Sequence, residues 1–269
     1  MTRNASSSPS SEFQGRHVLI TGAAGGIGQA LALQLLQDGA RVSALDLDAQ
    51  GLDHLRASGG ADAAPQLWTR ALDVSESGAV NAAIEAAEQA LGPIDHLACV
   101  AGVLQMGRVT ELSDEQWSRT MAINLGGVFN ACRAVARGMV ARQRGSIVNV
   151  SSNAATAPRA AMSAYAASKA AVTQFSRCLA LELAEHGVRC NTVSPGSTDT
   201  EMQRAMWRQG SSRETVIEGD AKAFRLGIPL RKIATPDDVV DAILFLLSDR
   251  AGHITLHDMR VDGGATLDQ

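Results

Sequence analysis

The chain contains a single tyrosine, and it stands in Ser163-Ala164-Tyr165-Ala166-Ala167-Ser168-Lys169. Positions four apart share one face of a helix, so this spacing can set the Lys169 ammonium beside the Tyr165 phenol. An unperturbed phenol titrates near ~10, and a base working near neutrality needs that lowered by about two to three units, or roughly 3–4 kcal/mol. One cation at ~4 Å supplies about that much at an effective dielectric near 20. The pair therefore has the parts of a proton-transfer device, although the same spacing also occurs in ordinary exposed helix pairs. Upstream, the strand-like Ser146–Val150 runs into Ser151-Ser152. A hydroxyl at Ser152 can hold a reacting oxygen, and equally it can be a plain turn or cap residue.

A second group of residues suits a dinucleotide. Thr21-Gly22-Ala23-Ala24-Gly25-Gly26-Ile27-Gly28 follows a strand pattern and opens a helical one. Glycines in that context let the backbone turn tightly and bring bare amides, Ile27 included, close to a pyrophosphate. Asp46 stands at the end of the second strand, where a carboxylate can accept from both ribose hydroxyls of adenosine. A 2′-phosphate ~4 Å from that carboxylate would meet repulsion of order several kcal/mol, and Leu47 offers no compensating charge. The expected cofactor is NAD. Asp73-Val74 and Ala101-Gly102 close the third and fourth strands, on the edge where open α/β sheets bind nucleotides.

These residues need a scaffold that gathers strand ends. Short runs rich in Val, Leu and Ile alternate with longer amphipathic segments, as in an α/β fold whose parallel sheet is covered by helices on both faces. Strands are expected over His17–Thr21, Arg41–Leu45, Gln66–Ala71, His96–Val100, Ser146–Val150, Arg189–Ser194 and Met259–Val261, making a single Rossmann-type doubly wound domain. Ser113-Asp114-Glu115-Gln116 reads as a capping box. Thr235-Pro236-Asp237-Asp238 reads as a capped helix start running to about Leu247. The least regular stretch, 196–230, is broken at Gly210-Ser211-Ser212-Arg213 and is expected to cover a substrate.

The 269 residues and 45% hydrophobic content suit one domain, 13–269, behind a disordered tail of residues 1–12. A net charge of −4 argues against nucleic acid and anionic membranes. No apolar run is long enough to cross a bilayer. The four cysteines and six histidines show no metal-ligand spacing, which speaks against a metal and for a reducing cytoplasm. Trp117 and Trp207 read as core or lid packing.

The order glycine loop, Asn124, Ser152, Tyr165, Lys169 closely resembles the short-chain dehydrogenase/reductase family, from about Gly15 to Gly264. The resemblance implies that Ser152 polarises the substrate oxygen, Tyr165 exchanges its proton, Lys169 also binds the nicotinamide ribose and Asn124 supports a water relay. Pro195-Gly196 would flank the nicotinamide amide. Where the family commonly has Asn-Asn-Ala-Gly, this chain has Cys99-Val100-Ala101-Gly102, which leaves local hydrogen bonding open. The family also implies a homotetramer, with helices Gly126–Arg144 and Ser163–His186 packing across subunits through Ala131, Ala134, Ala136, Ala166, Ala167, Ala170 and Ala171.

Four further stretches are more particular: 158–165, 194–204, 226–230 and 253–256. They resemble the 2,3-dihydro-2,3-dihydroxybenzoate dehydrogenases of catechol siderophore synthesis, which oxidise a carboxylated cyclohexadiene alcohol that then becomes aromatic. The resemblance makes Arg159 the expected carboxylate contact, with Met202 and Gln203 closing over the ring. Gln105 stands where those enzymes have an Arg, so the ring substituents can differ, as in oxidation of 2,3-dihydro-3-hydroxyanthranilate. A 3-oxoacyl carrier-protein reductase and a non-catalytic dinucleotide sensor are the other readings.

Overall fold

The structure, a computed structural model, describes residues 12–208 and 212–267. The tail expected over residues 1–12 lies outside them except for Glu12, and so do Gly210 and Ser211 of the expected break. Seven strands form one parallel sheet: β1 His17–Thr21, β2 Arg41–Asp46, β3 Leu67–Ala71, β4 His96–Cys99, β5 Gly145–Val150, β6 Val188–Pro195 and β7 Asp258–Val261. Their spatial order is β3-β2-β1-β4-β5-β6-β7. Each lies within a residue or two of its expected span. Gln66 falls instead in a 3-10 turn with Ala64 and Pro65, because proline holds that turn just before the strand.

Alternation along the strands feeds two cores. In β1, Val18 and Ile20 point to one face, while Leu19 joins the other. The first core is closed by α1 Gly26–Gln37, α2 Ala49–Ala63 and α9 Pro236–Leu247. The second is closed by α3 Ser77–Leu91, α5 Gly127–Arg142 and α6 Ser163–Ala184. The Ser113 capping box starts α4 Asp114–Met121, and a reciprocal Thr235–Asp238 box starts α9. Two short helices, α7 Glu201–Arg208 and α8 Arg213–Glu218, lie in the irregular segment. That segment has a small core of its own, in which Trp207 packs against Val216, Ile228 and Ile233.

Three details depart from expectation. Trp117 is 44% exposed rather than packed in a core, since the buried position of α4 is Thr120. Ala131 and Ala136 are buried in the chain's own core, so they are not available to another subunit, whereas Ala170 is exposed. The helix expected from Gly126 to Arg144 begins with a π-turn over Ala122–Gly126 and ends at Arg142, where Gln143 turns left-handed at φ 54°. Among the described residues no helix is long and apolar enough to cross a membrane.

Candidate active site

The strand order reverses between β1 and β4, and a crevice forms at such a switch point because the flanking connections leave to opposite faces. A cleft of about 510 Å³ opens at the carboxyl ends of the strands there. Gly22, Gly26, Ile27 and Gly28 line it, as do Asp46, Asp73, Val74, Ala101 and Gly102. Its other wall carries Ser152, Arg159, Tyr165, Lys169, Pro195 and Gly196, together with Met202 and Gln203 from α7. Every residue expected to hold cofactor or substrate or to take part in proton transfer, except Asn124, therefore borders one space.

The glycine turn is sterically specified. Gly22 has φ +74°, and a β-carbon there would stand 2.5 Å from the Ala101 amide nitrogen. At Gly28 a β-carbon would meet the Gly22 carbonyl oxygen at 2.0 Å. Bare backbone is thus required where a pyrophosphate would approach α1. The Asp46 carboxylate accepts from the Ala24 amide through Oδ2 (2.9 Å) and from the Asp48 amide through Oδ1 (2.9 Å). Each carboxylate oxygen can accept a second hydrogen bond, so Asp46 fixes the turn and keeps capacity for ribose hydroxyls. This cradle fits a dinucleotide.

Next to it, Asp73 Oδ1 accepts from the Ser75 amide (2.9 Å) and hydroxyl (2.7 Å), bonds that hold its carboxyl below the usual range. Asn130, which sequence reading missed, donates to the carbonyls of Val74 (3.0 Å) and Ser75 (3.2 Å). It sets the height of that rim from α5.

Ser152 caps a 3-10 turn, its Oγ accepting from the Ala154 amide at 3.1 Å. It also hydrogen-bonds the Tyr165 phenol. Burial holds that phenol above its ordinary value, and the Ser152 bond pulls only partly the other way. The sequence reading expected a lowered value from Lys169. Instead the Lys169 ammonium stands 5.8 Å from the Tyr165 ring centre, donates to the Val150 carbonyl at 2.8 Å and is itself pushed down to about 8 by burial. Among the chain's own groups, desolvation decides the direction at Tyr165.

Asn124 is fully buried in the π-turn and does not reach the cleft. Its Oδ1 accepts from the Val103 amide (2.8 Å), and its Nδ2 donates to the Val103 carbonyl (3.0 Å) and to Ser168 Oγ (2.9 Å). A β-carbon on Gly102 would stand 3.3 Å from Asn124 Oδ1 and 3.4 Å from Lys169 Nζ. Asn124 thus joins the loop after β4 to α6 just behind Lys169. The Cys99-Val100 departure has an apolar outcome: the Cys99 thiol is buried and pushed well up by its contact with Cys132 and by desolvation. Val100 packs on the first core, and its amide donates to the Thr21 carbonyl at 3.0 Å. Gln105 does not border the cleft; its Nε2 donates to the Met106 carbonyl at 3.1 Å.

A family described as short chain dehydrogenase matches residues 16–210. Two bacterial relatives are similar over nearly the whole chain. One, 2,3-dihydro-2,3-dihydroxybenzoate dehydrogenase of Bacillus subtilis (strain 168), is 49% identical over 95% of this chain and 97% of its own. The other, vibriobactin-specific 2,3-dihydro-2,3-dihydroxybenzoate dehydrogenase of Vibrio cholerae serotype O1, is 48% identical over 93% and 96%. A crystal structure of a short-chain dehydrogenase/reductase, glucose/ribitol dehydrogenase, from Brucella melitensis superposes with a TM-score of 0.85 at 32% identity, covering 96% of this chain and 99% of that one.

Proposed function

We propose, because this chain belongs to the short-chain dehydrogenase family and its catalytic trio borders one cleft with the glycine turn, that it oxidises 2,3-dihydro-2,3-dihydroxybenzoate with NAD. The single observation that carries the substrate is the 49% identity, over 95% of the chain, to a dehydrogenase named for it. Asp46 supports NAD over NADP, since both its oxygens face backbone amides and no cation lies next to it in sequence.

In this reading the glycine turn, Asp46, Asp73, Val74, Ala101, Gly102, Pro195 and Gly196 hold the dinucleotide. When bound, it supplies the hydride acceptor and a positive ring charge beside the phenol. Ser152 holds the oxygen of the reacting alcohol. Tyr165 takes the hydroxyl proton as the C–H bond gives up hydride, leaving a ketone. A ring proton then moves to that oxygen, and aromaticity makes the oxidation effectively one-way. Lys169 orients the nicotinamide ribose and returns protons through the groups behind it. Asn124 acts as a positioning residue for Lys169. Arg159 binds the carboxylate, while Met202 and Gln203 close over the ring.

We read 13–269 as one catalytic domain, since one sheet collects strands from His17 to Val261. The setting is the cytoplasm and the product feeds a catechol siderophore. The assembly is a homotetramer, for which exposed Phe129 (41%) on α5 and Leu181 (66%) on α6 supply apolar surface. Incubation with the dihydrodiol and either NAD or NADP, followed through reduced-nicotinamide absorbance, tests the reaction. Formation of NADH and 2,3-dihydroxybenzoate is expected; equal or better rates with NADP would remove the Asp46 argument, and no turnover with either would remove the reaction.

A further inference from the structure

The segment that borders the cleft from α7 onward is rich in arginine, and its arginines are not equivalent. Arg204 pairs with Asp199 at 2.8 Å, Arg208 with Glu201, and Arg231 with Glu218 at 2.5 Å. None of these three borders the cleft. Arg225 does border it, and among the described residues it makes no ion pair within 4.0 Å. Its neighbour Asp220 is already engaged: Oδ1 accepts from the Lys222 and Ala223 amides as the cap of a 3-10 turn. Arg225 and Asp220 are joined through their backbones, by reciprocal bonds of 2.9 Å in each direction, so the base of the Arg225 side chain is fixed, while the Asp220 charge acts on its guanidinium only from beyond ion-pair distance among the described residues.

A second unmade bond lies in the same wall. Gln203 is 8% exposed and borders the cleft, and among the described residues its Nε2 has no hydrogen-bond partner. Buried donors are normally satisfied, and a guanidinium partly stripped of water is stabilised by a planar, bidentate anion above any other partner. Burial also lowers the Arg225 guanidinium from its ordinary value, which a neighbouring anion would reverse. Both residues therefore lack ligand oxygens on the side of the site that covers the substrate.

We infer that Arg225 is a specificity-determining residue, binding the carboxylate of the ring substrate from the covering segment, with the Gln203 amide donating to an oxygen of the same ligand. A carboxylate accepts about four hydrogen bonds, so it can be shared with Arg159. The consequence is that carboxylated rings are bound more tightly than neutral cyclic alcohols. This rests on the substrate class proposed above.

The test uses the full chain saturated with NAD and two ring ligands that differ only in the carboxylate: 2,3-dihydroxybenzoate and catechol. Dissociation constants are measured by calorimetry for the parent, Arg225→Gln and Arg225→Lys. We expect the parent to prefer the benzoate. Arg225→Gln should reduce that preference by about 10- to 100-fold, the loss of one charge-assisted contact, and Arg225→Lys should restore part of it. A preference in Arg225→Gln equal to the parent's overturns the assignment. So does a variant that loses affinity for NAD while keeping its preference, since the cation would then serve a phosphate of the dinucleotide. Turnover of the dihydrodiol by the same parent preparation is scored separately, so failure of the reaction and failure of Arg225 are distinguishable.

Discussion

At Tyr165 two effects oppose each other. Burial favours the neutral phenol and the Ser152 bond favours its anion, and in the chain alone burial is the larger. In the proposed reaction its base strength therefore depends on positive charge arriving with the dinucleotide, so it works in the complex rather than in the free protein. Tyr165→Phe keeps the ring and removes the proton acceptor, so kcat should fall by at least about 100-fold while NAD still binds. Stopped-flow formation of NADH with a parallel NAD titration reads both, and parent-like turnover would end the assignment. At Asp46 a like-charge contact at ~4 Å costs several kcal/mol. Asp46→Ala should narrow the preference for NAD over NADP by at least about tenfold, read as the ratio of the two kcat/KM values. NAD affinity should fall as well, because the Ala24 amide loses its acceptor. A ratio unchanged from the parent would show that the carboxylate does not select the cofactor.

At the level of elements, the site depends on how closely α5 meets the turn after β3. A β-carbon on Gly127 would stand 2.6 Å from Val74 Cγ2 and 3.0 Å from its Cβ. Val74 is β-branched and stiff, and its carbonyl is tied to Asn130, so it cannot swing aside. On propensity alone Gly127→Ala would gain about 1 kcal/mol of helix stability. Overpacking costs about 1–3 kcal/mol, and here it should win. Urea unfolding is expected to show net destabilisation with weaker NAD binding; a stabilised variant would mean that the rim yields freely. The π-turn before α5 is a second device at this scale. It buries Asn124 behind Lys169, and extra-residue turns of this kind concentrate at functional sites.

Across the whole molecule, buried bases tie stability to pH, His96 and Lys169 most strongly. His96 is held down to about 4 by burial, and among the described residues its Nδ1 has no partner. Between about 4 and 6.5 the unfolded chain binds a proton there and the folded chain does not, so stability falls as pH drops through that window, by up to about 3 kcal/mol. His96→Leu should remove this acid loss, measured as unfolding free energy from pH 7 to 4; parallel curves for parent and variant would contradict it. Lys169, pushed down to about 8, has the same sign at higher pH. Below about 8 the folded state carries a desolvated ammonium, and stability rises as pH climbs from about 8 toward 10.5, again by up to about 3 kcal/mol. Lys169→Met should flatten that rise, and binding of NAD beside the ammonium should alter it.

The sequence alone was enough for the strand spans, the helix caps, the glycine turn and the shared helix of Tyr165 and Lys169, because those depend on periodicity, on turn chemistry and on spacing within one element. Ser152 and Tyr165 come from separate elements, and their hydrogen bond exists only because β5 and α6 pack side by side. Folding alone decided the rest. The direction of the Tyr165 shift, the withdrawal of Asn124 behind the cleft wall, the support from Asn130 and the open guanidinium of Arg225 all turn on burial and on partners distant in the chain. Desolvation and long-range pairing leave no periodic mark on a sequence, since they are properties of the space between elements and not of the elements themselves.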